Sequence, residues 1–210
     1  MYWGSPVHST SLTLLQDLQN LGNHERWAEF HSIYAPLIVC FAQKIGCSDA
    51  TAQREVLQET MISLTRVLPG FRYDRKLTGF RGLLYTIVRN HVRSAWRRQR
   101  VFRLEADLPE WDLAAVSDDS PQANPEAVWE ELWRQNLLLR ALERVRKQVL
   151  GTTYESFVQY VIKERPAGQV AQELGIEVNA VHQHRHRMIR LLREQVRLLQ
   201  EDIGETMDGK

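Results

Sequence analysis

Cysteine is scarce, long apolar runs are missing, and no glycine-rich phosphate loop occurs in these 210 residues. Cys40 and Cys47 fall about two turns apart in a predicted helix, roughly 10 Å. That is too far for a disulfide without bending the backbone, so a disulfide-built scaffold is excluded and a reducing, cytosolic setting is expected. No stretch approaches the roughly 20 apolar residues of a membrane span. The opening "MYWGSPVHST" lacks a basic start followed by an apolar core, so no secretory signal is expected. Metal motifs are missing too. "HERWA" has Ala28 where a zinc protease needs its second histidine. His182, His184 and His186 alternate along a predicted helix, so only the first and last share a face, and no cysteine or carboxylate completes a site. No metal, cofactor or catalytic residue is assigned.

Acidic residues are absent from a thirty-residue block. Residues 75–104 hold nine Arg or Lys and no Asp or Glu, whereas residues 105–133 hold nine Asp or Glu and no Arg or Lys. The net charge of +1 conceals this division. Such asymmetry points to a polyanionic partner, with an acidic stretch kept apart from it.

Strand-like alternation is also missing, and helical periodicity dominates. A short helix is expected over 11–20, ended by Gly22 and Asn23. A longer one follows, with Trp27, Phe30, Tyr34, Ile38 and Phe41 at helical spacing and a break or kink near Pro36. "DATAQREVLQETMISLTRVL" is predicted to turn Val56, Leu64 and either Met61 or Ile62 inward, with Glu55, Gln58 and Glu59 outward. "PGFRYDRKLTG" reads as a loop, and residues 80–100 as a long helix. Residues 104–124, with Pro109, Pro121 and "SDDSPQANP", have linker composition. Asn124 as N-cap and Pro125 in the first turn restart a helix, and Thr152 with Glu155 suggests a capping box. The fold class expected is all-α: two helical domains, 10–103 and 125–200, joined by the acidic linker 104–124.

In the long helix Phe80, Leu84, Ile87, Val88, Val92 and Ala95 fall on one side. Arg89, Arg93, Arg97 and Arg100 recur on another, with Phe71, Tyr73, Tyr85 and Trp96 interleaving aromatic surface. Guanidinium groups bind phosphates bidentately and aromatic faces stack on exposed bases, so the pattern fits nucleic acid. A solvated amphipathic face, or a surface for an acidic protein, is the plainer alternative.

"AGQVAQELGIEVNAVHQHRHRMIRLL" carries a more specific pattern. A small Ala171 suits a helix crossing, Gly175 suits a turn needing positive φ, and Val181 can bury against the first helix. That is the logic of a helix-turn-helix, whose second helix enters the major groove. His182, Gln183, His186, Arg187 and Arg190 are then free to face DNA, where Gln reads adenine and Arg reads guanine or holds phosphate. An ordinary helical hairpin satisfies the same spacing.

The order of these pieces over about residues 10–200 resembles a bacterial RNA polymerase sigma factor, of the extracytoplasmic-function (ECF) group of the sigma-70 family. "REVLQET" resembles that family's polymerase-binding helix, and "FRGLLYTIVRNHVRSAWRRQ" its promoter-melting helix. The resemblance implies a region 2-like bundle and a region 4-like helix-turn-helix, with core RNA polymerase and promoter DNA as partners. It implies that Glu55, Gln58 and Glu59 face the polymerase clamp and that Phe71, Arg72, Tyr73 and Asp74 capture a flipped base of the minus-ten element. It implies that Asn90, Arg93, Arg97 and Arg98 hold the separated strand. Asn179, His182, Gln183, His186, Arg187 and Arg190 would meet the minus-thirty-five element, and the acidic linker would occupy polymerase channels. Ser94 departs from the Asp often found there, His182 and His184 stand where Lys or Arg is common, and Arg185 stands where an apolar residue is usual. The tail "EDIGETMDGK" is short for a further domain, so control is expected from expression level or a separate protein such as an anti-sigma factor.

Two other functions compete. A free-standing helix-turn-helix regulator needs neither "VLQET" nor the aromatic loop. An enzyme acting on nucleic acid needs a carboxylate cluster near the basic helix, where Asp74 is the only close acid. If histidines contact the upstream element, promoter binding should be tighter at about pH 6 than at about pH 8. Filter binding at the two pH values tests this, and equal affinities would exclude histidine contacts.

Overall fold

A computed structural model describes residues 12–47, 49–71, 79–105 and 124–202. Among these residues every regular element is helical and no strand occurs. Two compact units divide between Asn136 and Leu137.

The first unit begins with α1 (Leu12–Asp17) and α2 (His24–Lys44). Asn23 caps α2 by accepting from the Arg26 N–H. The helix runs through Pro36 without a break, contrary to the interruption expected there. A proline inside a helix costs about 3 kcal/mol. Phe30, Tyr34, Leu37, Ile38 and Phe41 are all buried on both sides of it, and each such side chain contributes roughly 1.5–3 kcal/mol. Packing therefore outweighs the lost hydrogen bond. Cys47 lies past the end of α2 instead of within it, and both cysteines are free thiols.

α3 (Ala50–Val67) starts at Asp49, whose carboxylate accepts from the Ala52 N–H at 3.0 Å. Its buried stripe is Ala52, Val56, Thr60 and Leu64, while Ile62 is exposed and Met61 only half-buried. Thr60 takes the inward place expected of Met61 or Ile62. It can do so because its hydroxyl donates to the Val56 carbonyl at 2.7 Å, leaving only its methyl group to pack. A 3-10 turn, Leu68–Gly70, ends this segment.

α4 (Gly79–Glu105) extends past the expected end at residue 100. It packs against α2 and α3 through Phe80, Leu84, Val88, Val92 and Ala95, all essentially inaccessible to solvent. Ile87 sits at the edge of that line, half-buried.

α5 (Pro125–Arg146) begins as the sequence suggests, with Asn124 Oδ1 accepting from the Glu126 and Ala127 N–H groups. Its first three turns belong to the first unit, although a boundary ahead of residue 125 was expected. Two tryptophans are the reason. Trp133 stacks on Tyr34 at 5.8 Å, and Trp129 meets Phe41 edge-on at 5.1 Å and Tyr85 at 5.6 Å. Asn136 donates to the Ile33 carbonyl at 2.8 Å, and Arg81 pairs with Glu130 at 3.0 Å.

The second unit contains the end of α5, α6 (Gly151–Phe157), a π-helical segment Val158–Ile162, α7 (Ala167–Leu174) and α8 (Val178–Asp202). The capping box expected at Thr152 does not form. Leu150 is the N-cap, Thr152 lies inside the helix, and Glu155 accepts from Gln159 Nε2 at 2.7 Å instead. Gln159 in turn accepts from Arg165, which also pairs with Glu173 of α7 at 2.6 Å.

The Trp133 side chain is 2 % exposed, and its indole N–H has no partner among the described residues, so apolar burial carries its contact. Trp133→Ala should lower unfolding free energy by about 3–5 kcal/mol, measured by urea denaturation.

Candidate nucleic-acid interface

The buried line of α4 decides which way its cations point. With Val88, Val92 and Ala95 inward, Asn90, Arg93, Arg97 and Arg98 are exposed. Ser94 links two of them, donating to the Asn90 carbonyl at 3.0 Å and accepting weakly from Arg97 at 3.4 Å. Arg89 is half-buried, its guanidinium 5.8 Å from the centre of the Tyr85 ring. On α3, Glu55, Gln58 and Glu59 are exposed as expected.

Two residues read as aromatic surface turn out to have structural work. Tyr85 packs on Phe41 and Trp129, and burial pushes its hydroxyl above the usual tyrosine range. Trp96 lies over Gly46, whose φ of +113° and close ring exclude a side chain: a Cβ there would sit 3.3 Å from the indole. The indole also covers Cys47, whose thiol burial pushes up to about 11. Phe71 is half-buried, donating its N–H to Leu68 and accepting at its carbonyl from Gln19 Nε2 at 3.0 Å. Arg72, Tyr73 and Asp74 lie outside the described residues, as does most of the acidic linker.

The acid-free block does not leave every arginine unpaired, because acids arrive from other helices. Arg98 meets Glu55 at 3.3 Å, joining the acidic face of α3 to the basic end of α4. Partners 43 residues apart leave no local signal in the sequence. Both side chains are more than half exposed, so the pair contributes at most about 1 kcal/mol and yields readily to a competing ligand. Nearby, His91 Nε2 lies 2.8 Å from Ser63 Oγ. Burial lowers its pKa, opposed by Glu59 and reinforced by Arg98.

In the second unit Val170, Ala171 and Val181 form a small core, flanked by Tyr160, Ala167, Leu174 and Ile176. Gly175 adopts φ +65°, and the N–H groups of Gly175 and Ile176 both reach the Ala171 carbonyl. These are the three positions the sequence pattern singles out. On α8, Asn179, Gln183, His186, Arg187 and Arg190 are exposed. His182 is half-buried, its ring edge-on to Tyr160 at 5.4 Å. His184 is also half-buried, and desolvation, then Arg187, lowers its pKa.

Residues 30–101 match the family model for sigma-70 region 2. The chain carries a sigma-70 region 2 domain. The match supports membership of the sigma-70 family, whose region 2 engages RNA polymerase and melts promoter DNA. No curated protein matches the chain. The region 2 match includes Glu55, Gln58 and Glu59 on α3 and Asn90, Arg93, Arg97 and Arg98 on α4. It excludes α1, the tryptophans of α5 and the whole of α7 and α8.

Because burial disfavours protonated His91, the unfolded chain takes up that proton first as pH falls. The contribution is therefore intact above the ordinary value of 6.5 and is lost as pH drops through it. His184 acts in the same direction. Thermal melting should fall from pH 7.5 to about pH 5.5, and His91→Gln should flatten the decline.

Proposed function

We propose that the chain is a sigma factor of the ECF group. It would bind core RNA polymerase, melt promoter DNA with binding energy, and then leave. The region 2 match carries this reading, because it falls on the two helices that present the acidic and basic faces. In this reading Glu55, Gln58 and Glu59 face the polymerase. Phe71 to Asp74 capture a flipped base, and Asn90, Arg93, Arg97 and Arg98 hold the separated strand. The acidic linker lies in the polymerase channels.

The Ala171–Gly175–Val181 geometry supports a region 4-like helix-turn-helix, with α8 as its recognition helix. Gln183, His186, Arg187 and Arg190 are its exposed readers, with Asn179 at the helix start. His182 contributes less than its sequence position suggests, since Tyr160 takes up part of its ring. The protein works in the cytoplasm and is not an enzyme in its own right. An anti-sigma factor is the natural class of regulator. No helix among the described residues is long and apolar enough to cross a membrane.

Size-exclusion chromatography with core polymerase tests the reading directly. A one-to-one complex is expected, weakened by combined Glu55→Lys and Glu59→Lys. Arg93→Ala with Arg97→Ala should leave that complex nearly intact and abolish promoter opening, read by permanganate footprinting. Separate elution, with duplex binding by the chain alone, would favour a free-standing regulator.

A further inference from the structure

Beyond the base-reading positions of α8, the helix carries a second cationic feature. Arg185, His186, Ile189, Arg190 and Arg193 line a shallow open concavity on its flank. Arg185, Arg190 and Arg193 are exposed, and among the described residues no carboxylate pairs with any of the three. The opposite side of α8 is closed by Val181, Met188, Leu192 and Leu199, so these cations cannot turn inward. Arg185 and Arg193 stand one turn before and one turn after Ile189, about 12 Å apart along the axis.

Groove dimensions decide what such a pair can touch. From Gln183 to Arg193 is about 15 Å of helix, whereas the major groove of B-DNA is about 12 Å wide. A helix with Gln183 and Arg187 over the bases therefore brings Arg193 to the groove wall, where only phosphate and sugar are presented. Guanidinium groups suit phosphate oxygens through bidentate hydrogen bonds.

We propose that Arg185 and Arg193 form a backbone clamp on either side of Ile189, each holding a DNA phosphate at the edge of the groove entered by α8. The clamp rests on the reading of α8 as a recognition helix. It sets register and affinity without adding sequence preference.

The test is a salt titration of promoter binding by polymerase reconstituted with the full chain, using fluorescent duplexes with cognate and scrambled upstream elements. Each of Arg185→Ala and Arg193→Ala should reduce the slope of log affinity against log salt by about 0.9. Each should weaken both duplexes by the same factor. Arg193→Lys should keep most of the slope, which separates loss of charge from loss of folding. Gln183→Ala should instead erase the difference between the duplexes and leave the slope unchanged. An unchanged slope in both alanine variants overturns the clamp while a stable polymerase complex keeps the sigma reading. If no polymerase complex forms, the sigma reading fails; the same titration on the chain alone with duplex DNA then supports or overturns the clamp by the same slope.

Discussion

Phe80, Leu84, Val88, Val92 and Ala95 form an unbroken buried line along α4, and what the first unit presents to its surroundings depends on it. Each of the larger side chains contributes roughly 1.5–3 kcal/mol by leaving water. A single exposed ion pair contributes a fraction of that. The helix therefore orients by its apolar side, and Arg93, Arg97 and Arg98 face solvent as a consequence. The cations are held where a polyanion can reach them without being needed for folding. A binding surface of this kind can bear charge repulsion because the opposite side of the same helix offsets it.

Aromatic packing extends the same logic beyond the matched region. Phe30, Tyr34 and Phe80 form one contiguous group, and Trp133 continues it from α5. Side chains of this size reach across a gap that aliphatic residues leave open, so α5 is held chiefly by its two tryptophans. Cost enters at the edges: the indole N–H groups of Trp129 and Trp133 and the Tyr85 hydroxyl are buried with no hydrogen-bond partner among the described residues. Each such group costs about 1–3 kcal/mol, less than the apolar burial that accompanies it.

Charge and specificity sit in different places. On α4 the exposed arginines suit phosphate and unstacked bases, and the one tie to α3, Arg98 to Glu55, is weak enough to open. On α8 the readers are mixed: an amide, a histidine and arginines, carried by a helix whose start is set by the Gly175 turn. The π-helical segment and the Glu155–Gln159–Arg165–Glu173 chain hold α7 from the other side. These polar links fix the helix geometry that packing of Val170, Ala171 and Val181 alone would leave loose.

Periodicity, capping residues and charge blocks by themselves determined the helical class, the start of α5 at Asn124, the Ala171–Gly175–Val181 unit and the exposure of Glu55, Gln58 and Glu59. All of these are local, decided within one or two turns of a helix. Tertiary structure alone decided that α2 passes through Pro36, because packing on both sides outweighs one lost hydrogen bond. It likewise put Thr60 inward, gave Tyr85 and Trp96 structural roles, drew the first turns of α5 into the first unit and paired Arg98 with Glu55. Each of those outcomes depends on a residue far along the chain, or on a competition between burial and a local cost. The pattern of one helix records neither its partners nor the size of their contribution.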